Sequence, residues 1–383
     1  MKIALINPAY DKKLNSLENL VKLYFHPREL TRALLSKSIN TTWVQGFCSE
    51  DEYDISPLQM CTFISSPFYG GIENLMSQHI DRDSLSRVIE KLQPDVVHIF
   101  GFLPTDILAI NDICSSASAI LTASFHGSNP AKNNEFLALQ KQALSKLSLI
   151  LFNSPERIKT WKDAGLIDSS TLISICPETS SFFELKSRKE ARIKTGLVGN
   201  PVCITTCRLH PVKDPLTLLN GFEKILAKKP GARLYWVYQT DEMLEEITDK
   251  LNESSVLNDA VSLSGPLDFA DMEDFYNSAD FFLQASVTEY GGNSLCEAMA
   301  CGVIPVVTNI PSFQYLTGNN QFRTLFDIGN SNELAQNVLS IPPEKYSDYS
   351  QNIRTYFDKN LSFNLIATTL LNTIDTVVTM RSG

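Results

Sequence analysis

Short apolar runs of strand length alternate with amphipathic segments of helix length from the first residues of the chain onward. Strand-like runs lie at Lys2–Asn7, Thr42–Val44, Val96–Phe100, Ile120–Ser124 and Leu149–Phe152. Helix-like segments lie at Leu17–Phe25, Pro27–Lys37 and Ser84–Leu92. Strand, helix and strand in alternation predict an α/β fold with a parallel sheet covered by helices on both faces.

The same alternation restarts after about residue 180. A densely charged segment, Lys186–Lys194, and a turn at Gly199-Asn200-Pro201 separate the two series. Strands are then predicted at Val202–Thr206, Arg233–Tyr238, Phe281–Leu283 and Val303–Thr308, with helices at Pro215–Ala227, Asp271–Ser278 and Leu295–Cys301. The 383 residues therefore predict two Rossmann-like domains, 1–185 and 186–361. The apolar spacing of the tail predicts a helix over about 362–380 that packs back on the first domain.

The charge of the chain excludes general nucleic-acid binding. The formal net charge is −10, whereas a nucleic-acid surface must be basic to displace phosphate counterions. Residues 1–47 depart from this balance, with seven Lys or Arg against three acidic residues. The simpler interpretation is a solvated helix surface, and peripheral membrane contact through this basic region remains the alternative.

Cysteine usage and hydropathy indicate a reducing, aqueous compartment. The eight cysteines show no C-x-x-C spacing and most lie in apolar runs, which predicts unpaired, mostly buried thiols. The apolar run after Met1 is too short for a signal peptide. No apolar stretch approaches the roughly 20 residues that span a bilayer. We therefore expect a cytoplasmic protein, with a peripheral position at the inner membrane face as the alternative.

Two glutamates and a glycine pair form the most informative segment, Glu289-Tyr-Gly-Gly-Asn-Ser-Leu-Cys-Glu297. Glu289 lies on a loop that follows a strand, and Glu297 lies in the next helix. Gly291 and Gly292 allow the backbone to approach a ligand, and the helix N-terminus behind them offers N–H groups to phosphate. The segment predicts a diphosphate site with a carboxylate on either side for hydroxyl groups.

Cationic and hydrogen-bonding residues follow two further strands. Arg208 and Lys213 lie on one loop after Val202–Thr206, where two cations can neutralise a diphosphate leaving group. Ligands of open α/β sheets bind at this carboxyl edge. His126 follows the strand Ile120–Ser124 in the same way. His98 is predicted to be structural, while His210 is left open between a structural and a ligand-binding role. A loop at Gly265-Pro266-Leu267 is a candidate contact for a nucleotide base.

In combination, these segments resemble glycosyltransferase family 4, the retaining group with the GT-B fold, in which two doubly wound domains face each other across a cleft. The resemblance runs through most of the chain: Pro94–Gly101, His126-Gly127, Phe152-Asn153-Ser154, Arg208 with Lys213, and Glu289 with Glu297–Gly302. The chain departs from the family pattern at three places. Its first loop, Asn7–Asp11, lacks glycine, Gln239–Asp241 stands where glycines are usual, and Tyr290 replaces a small residue.

The resemblance implies a role for each candidate residue. Arg208 and Lys213 would bind the donor diphosphate, Glu289 the donor sugar, Glu297 the ribose, and His126 the sugar near its 6-hydroxyl. The remaining donor-binding residues would be Gly265, Leu267, Gly291, Gly292, Asn293, Ser294 and Leu295. The partners would be a nucleotide sugar as co-substrate and a glycan, lipid-linked or small-molecule acceptor. No cofactor or metal would be needed.

Two sequence observations accompany this mechanism. The one Asp-x-Asp motif, Asp81-Arg82-Asp83, directly precedes a predicted helix and is interpreted as its polar start rather than as a metal site. The sequence also shows no first-domain carboxylate placed beside His126, whereas an inverting enzyme needs such a base. Together with the family resemblance, this absence implies retention of configuration.

Other functions are weighed against this one. A nicotinamide dehydrogenase would need G-x-G-x-x-G after the first strand, and Asn7–Asp11 contains no glycine. A nucleotide-sugar epimerase on the same fold and a non-catalytic sugar-binding module remain open alternatives.

Overall fold

The computed structural model describes residues 1–8, 24–47, 61–65, 81–115, 119–127, 129–168 and 171–382. The chain divides into two compact units, the first comprising Met1–Glu178 with Phe363–Gly383 and the second Thr179–Ser362. The predicted helix Leu17–Phe25, most of the glycine-free first loop and the basic residues Lys12, Lys13 and Lys22 lie largely or wholly outside the described residues.

Within its described residues, the first unit has a seven-stranded sheet in the order β3-β2-β1-β4-β5-β6-β7. The strands are β1 (Lys2–Asn7), β2 (Asn40–Phe47), β3 (Cys61–Ser65), β4 (Val96–Phe100), β5 (Ile120–Ser124), β6 (Leu149–Phe152) and β7 (Leu172–Ile175). All neighbouring strands pair in parallel. The predicted strands β1, β4, β5 and β6 are confirmed to the residue, because short, predominantly apolar runs are typical of buried parallel strands.

Helices cover both faces of this sheet. They are α1 (Phe25–Ser36), α2 (Arg82–Leu92), α3 (Pro104–Ser115), α4 (Asn134–Leu144), α5 (Pro155–Asp163) and the C-terminal α15 (Phe363–Ser382). Alternate residues of β1 serve opposite cores: Ala4 and Ile6 pack on one side, and Ile3 and Leu5 pack on the side that also holds α1 and α15. Asp81 caps α2, accepting a hydrogen bond from the Ser84 N–H at 2.9 Å. The interpretation of Asp81 as a helix start is thus confirmed.

The C-terminal helix belongs to the first unit. Its apolar face, which includes Phe363, Ile366, Leu370 and Ile374, lies in the same core as Leu34 of α1. By length and composition, the helical stretch Pro343–Met380 is also apolar enough to cross a membrane. The expectation that no stretch reaches this limit was therefore wrong, although the apolar residues of α15 serve the protein core.

The second unit repeats the architecture with a six-stranded sheet, in the order β10-β9-β8-β11-β12-β13 among the described residues. The strands are β8 (Val202–Thr206), β9 (Arg233–Val237), β10 (Val261–Gly265), β11 (Phe281–Gln284), β12 (Ile304–Thr308) and β13 (Leu325–Phe326). Pairing is again parallel. The strand order reverses between β8 and β11, so the loops at their carboxyl ends diverge and leave a crevice there.

The helices of the second unit surround a single large core that includes residues of both sheet faces. They are α6 (Arg188–Thr195), α7 (Pro215–Leu226), α8 (Leu244–Asn252), α9 (Ser255–Ala260), α10 (Phe269–Asn277), α11 (Asn293–Ala300), α12 (Pro311–Leu316), α13 (Ser331–Ser340) and α14 (Tyr346–Asn360), with short 3-10 turns at Pro211–Lys213 and Pro343–Lys345. Helix α11 ends before Gly302, which has φ 68°, as the sequence predicted.

The boundary between the units lies at Glu178/Thr179, before the 185/186 boundary expected from the sequence. The intervening residues join the second unit because Phe183 is buried in its core and the Lys186 N–H donates to Asn277 Oδ1 at 2.7 Å. The charged segment that follows is helix α6. Its Arg192 pairs with the buried Asp280 at 2.8 Å, so the charged segment that separates the two predicted series anchors a helix.

Candidate active site

A cavity of about 370 Å³ opens at the carboxyl edge of the second sheet. The loops after β8, β9 and β10, helix α10 and the start of α11 form its walls. It is lined by Thr206, Cys207, Arg208, Lys213, Val237, Tyr238, Gln239, Pro266, Leu267, Phe269, Met272, Tyr276, Asn293, Ser294 and Glu297. Its position between β8 and β11 is the one that the strand order designates for a ligand.

The loop after β8 carries both predicted cations to this cavity. Arg208 is exposed and lines the cavity, and the neighbouring Leu209 anchors the loop in the core. Lys213 ends the 3-10 turn Pro211–Lys213. His210 starts that turn, with its Nδ1 accepting from the Val212 N–H at 3.1 Å. The structure therefore gives His210 a capping role that helps to position Lys213.

Lys213 and Glu289 form an ion pair, and each side chain is only 12% exposed. Glu289 Oε1 also accepts from Gln284 Nε2 at 2.7 Å and from Ser286 Oγ at 2.8 Å. Lys213 lines the cavity, whereas Glu289 does not and reaches it only through its ion pair with Lys213. The sequence treated these two residues as independent ligand-binding groups, and only the packing of their two loops reveals the pair.

Gly292 turns the chain into helix α11. Its φ is +75°, a conformation that favours glycine, and a Cβ at this position would lie 2.6 Å from Leu316 Cδ1, so the Leu316 side chain would have to shift. The first-turn N–H groups of Asn293, Ser294 and Leu295 have no partner within an α-helix. The side chain of Leu295 is fully buried, which leaves only its backbone for a ligand. Ser294 Oγ donates to the Thr206 carbonyl at 2.8 Å and holds the helix start against β8.

Glu297 belongs to a hydrogen-bonded chain that the sequence did not reveal. Its Oε2 accepts from the Tyr276 hydroxyl at 2.7 Å, and that hydroxyl lies 2.6 Å from Thr206 Oγ1. Tyr276 has one proton to donate, so the Thr206 hydroxyl donates to it. Burial raises the pKa of Glu297 to about 7, although the Tyr276 hydrogen bond opposes the shift. Glu297 is thus a carboxyl group poised to change charge near neutral pH.

The other end of the cavity is largely apolar. Pro266, Leu267, Phe269 and Met272 line it together with Val237. Gly265 closes β10, and its carbonyl accepts from the Tyr238 N–H at 3.2 Å. This end suits a flat heterocycle. The sequence indicated only the 265–267 loop. The contribution of Phe269, Met272 and Tyr276 depends on the packing of helix α10 at the sheet edge, which the sequence does not reveal.

His126 lies in the first unit, in a cluster of buried polar groups. Its Nε2 is 2.9 Å from Ser124 Oγ, and its Nδ1 is 3.8 Å from Glu178 Oε1. His26 and His98 lie close by, His98 being buried as predicted. The expectation that no first-domain carboxylate lies beside His126 was wrong. Glu178 is remote in sequence, and the pairing of β5, β6 and β7 brings it there.

Six of the predicted residues line this cavity: Arg208, Lys213, Leu267, Asn293, Ser294 and Glu297. Glu289 joins them through Lys213. Gly265, Gly291, Gly292 and Leu295 support the walls through the backbone, and His126 is part of the other unit. Across the part of the chain that the structure describes, no group of three or more His, Cys, Asp or Glu side chains forms a candidate metal site.

Residues 200–341, which include the whole cavity, match the protein-family model for the group 1 glycosyl transferases. This segment is therefore similar to the group 1 glycosyl transferases. Mannosylfructose-phosphate synthase of Agrobacterium fabrum is 34% identical to the chain over 128 residues. That alignment covers 32% of this chain and 28% of the relative, so it spans little more than a quarter of the relative's length.

Solved glycosyltransferases share the fold over the whole chain. Sucrose-phosphate synthase from Thermosynechococcus elongatus superposes with a TM-score of 0.72 at 17% identity, covering 99% of both chains. A glycosyltransferase from Rickettsia africae gives 0.71 at 16% identity, covering 98% of each. HepE of Anabaena, solved with UDP-glucose, gives 0.66 at 15% identity, covering 98% of this chain and 100% of that one. The predicted GT-B fold is confirmed.

Proposed function

We propose that this protein is a glycosyltransferase that moves a sugar from a nucleoside-diphosphate donor to an acceptor hydroxyl. The proposal rests on the cavity between β8 and β11. Its lining comprises an apolar end, two cations, a helix N-terminus and a partly buried carboxyl group. A nucleoside diphosphate offers the complementary sequence of groups: a flat base, a ribose with two hydroxyls, and two phosphates.

Each part of the cavity then has a distinct task. Pro266, Leu267 and Phe269 cover the base, and Glu297 accepts hydrogen bonds from the ribose hydroxyls. Arg208 and the N–H groups at the start of α11 bind the diphosphate and stabilise its charge as it leaves. This arrangement supplies positive charge from the protein itself, which is why we propose that turnover needs no metal.

The Lys213–Glu289 pair serves the junction between diphosphate and sugar. Oε1 of Glu289 is engaged by Lys213, Gln284 and Ser286, whereas Oε2 makes no hydrogen bond to any described residue. We propose that Oε2 accepts sugar hydroxyls while Lys213 contacts a phosphate oxygen. Glu289 then positions Lys213 and stabilises positive charge that develops on the sugar, without itself attacking it.

The stereochemical outcome is proposed to be retention, which the family resemblance supports. In this mechanism the departing phosphate oxygen takes the acceptor proton, so no protein base is required. Proton NMR of the first product from an α-linked donor measures the anomeric configuration. A β-linked product would contradict retention.

The relatives suggest which substrates to test first. HepE was solved with UDP-glucose, so we propose a UDP-sugar donor. Two relatives are named as synthases of sugar phosphates, so hexose phosphates are the first acceptors to try, before glycans and lipid-linked sugars. We propose a cytoplasmic protein. Peripheral membrane contact through the basic N-terminal region is the secondary proposal, although Arg28 and Arg32 both pair with Glu29 there.

Calorimetric titration with UDP, GDP and ADP tests the donor site. One nucleotide should bind, and Arg208→Ala should weaken that binding roughly 10- to 100-fold, since a charged hydrogen bond contributes about 1.5–3 kcal/mol. Lys228→Ala removes the same charge from an exposed position on the same unit and should bind normally. Equal affinity in Arg208→Ala and wild type would remove Arg208 from the site.

Product analysis separates the remaining functions. Incubation with the bound nucleotide's sugars should give transfer to an acceptor or slow hydrolysis, and both should persist in EDTA. Isomerised donor would identify an epimerase. Binding with no turnover of any donor would identify a sugar-binding module.

A further inference from the structure

A continuous chain of polar groups crosses the carboxyl edge of the first sheet. It runs from the Val97 carbonyl through Thr122 Oγ1, His98, Ser124 Oγ and His126 to Glu178. The successive distances are 3.3 Å, 2.9 Å, 3.2 Å, 2.9 Å and 3.8 Å. The first four are hydrogen bonds, and the last joins His126 Nδ1 to Glu178 Oε1.

The carbonyl at one end fixes the direction of every hydrogen bond in this chain. A carbonyl only accepts, so the single hydroxyl proton of Thr122 points to Val97. Thr122 Oγ1 must then accept from His98 Nδ1–H. Because the neutral imidazole has one proton, His98 Nε2 accepts from the Ser124 hydroxyl. Ser124 Oγ in turn accepts from His126 Nε2–H.

The neutral state of both rings follows from their surroundings. Burial lowers the pKa of His98 to about 3 and that of His126 to about 4, with the neighbouring histidine adding to the shift at His98. The reverse direction of the chain would leave the Val97 carbonyl without its Thr122 donor, so it forms one hydrogen bond fewer. His126 consequently carries its proton on Nε2 and presents the lone pair of Nδ1 to Glu178.

Glu178 has the properties of a donor to that lone pair. Its side chain is 9% exposed, and Oε2 accepts from Asn153 Nδ2 at 2.5 Å, which leaves Oε1 facing His126. Burial raises the pKa of Glu178 to about 7, opposed by the Asn153 hydrogen bond and by Arg157. The carboxyl group is therefore substantially protonated at neutral pH and below.

We propose that Glu178 is a positioning residue for His126: its protonated carboxyl donates to Nδ1, while the Thr122–His98–Ser124 chain holds the opposite nitrogen. The adjoining cavity measures about 10 Å³, room for about one water at most. His126 Nδ1 and Glu178 Oε1 are 3.8 Å apart, so at most one water fits beside this contact. In this arrangement the His126 ring has a partner at both nitrogens while Glu178 keeps its proton.

Ionisation of Glu178 removes the proton that its carboxyl donates to His126 Nδ1. A carboxylate can only accept, so above about pH 7 Glu178 no longer donates to Nδ1 of this tautomer. The titratable and charged groups that face the pair from the described elements are His26 of α1, His98 of β4, Arg157 of α5 and Cys176 after β7. Burial raises the pKa of the Cys176 thiol to about 12, so Cys176 does not ionise in this range.

Nitrogen-15 NMR of the imidazole rings tests the chain in the intact protein. The protein has five histidines, and a His126→Asn spectrum identifies the signals of His126. We expect a pyrrole-type shift for Nε2 and a pyridine-type shift for Nδ1. Ser124→Ala should mix the two tautomers, whereas Ser145→Ala at an exposed helix end should not. The reversed assignment, or two pyrrole-type shifts at pH 7, would overturn the proposal.

The pH dependence tests Glu178 itself. The Nδ1 shift of His126 should show a step near pH 7 that disappears in Glu178→Gln and persists in Glu156→Gln, an exposed carboxyl of α5. If the step in the Nδ1 shift near pH 7 persists in folded Glu178→Gln, the proposal is wrong. The NMR readout needs no substrate, so failure of this proposal is distinguishable from failure of the proposed function.

Discussion

At the scale of single residues, buried carboxyl groups distinguish this protein most. Glu297 and Glu178 belong to different units, yet each is enclosed at the carboxyl edge of its sheet and each has a pKa raised to about 7. In both cases burial is the main cause, and a neighbouring donor opposes it. Such groups are retained at a cost to folding at neutral pH, which is typical of binding and catalytic sites.

This cost predicts the pH dependence of stability. Folded Glu297 keeps its proton up to about pH 7, whereas an unfolded glutamate loses it near 4.5. The folded state therefore binds more protons between these values, and the free energy of unfolding falls as the pH rises from about 4.5 to about 7. Glu297→Gln should flatten part of this slope in urea unfolding, with Glu178 supplying the remainder. Glu253→Gln, an exposed control, should keep the full slope.

At the scale of secondary-structure elements, the junction between the β11 loop and helix α11 determines the phosphate end of the cavity. The loop brings Glu289 onto Lys213, Gly292 turns the chain in a left-handed conformation, and Ser294 ties the new helix to β8. Helix α12 closes over the turn through Leu316. A side chain at 292 would require the Leu316 side chain to shift.

Gly292→Ala tests the junction. The left-handed conformation costs alanine about 1–2 kcal/mol, and relief of the Leu316 contact adds about 1–3 kcal/mol. Chemical unfolding measures the sum, and nucleotide affinity should fall at least tenfold because the first-turn N–H groups move. Gly329→Ala separates the causes, since Gly329 has φ +76° with nothing within 4 Å of an added Cβ. It should show only the smaller loss of stability and bind nucleotide normally. Similar losses in both variants would mean that the Leu316 contact is unimportant.

At the scale of the whole molecule, the two units have separate cores. The described core of the second unit is drawn wholly from residues 183–361, and the cores of the first unit are drawn from residues 3–176 and from α15. Cores that do not mix predict two unfolding transitions. A nucleotide that binds the cavity should raise only the transition of the second unit.

Leu370→Ala tests this division. Leu370 is 1% exposed in the core of the first unit, so the substitution should cost about 2–5 kcal/mol. Calorimetry should show the transition of the first unit at a lower temperature, with the nucleotide-sensitive transition unchanged. Asn372→Ala, an exposed position on the same helix, should leave both transitions in place. If Leu370→Ala lowers both equally, the two units unfold as one.

The sequence by itself predicted nine of the thirteen described strands, the two-unit plan and the position of the chemistry along the chain. Short, mainly apolar runs such as Val96–Phe100 and Val202–Thr206 are typical of buried parallel strands, and polar residues that follow such strands lie at one sheet edge. Arg208, Lys213 and Glu297 were found on this basis. Local signals also predicted the helix end at Gly302 and the cap at Asp81, because the few residues around a helix end determine where it begins or stops.

Only the tertiary structure decided which of these groups are partners. The Lys213–Glu289 pair, the Thr206–Tyr276–Glu297 chain and the Glu178–His126 contact each join residues from different strands and helices. Their spacing along the chain holds no period that would reveal them, because each distance depends on sheet order and on helix packing. Burial, which raises the pKa of Glu297 and of Glu178, is likewise a property of the packed unit and of no local segment.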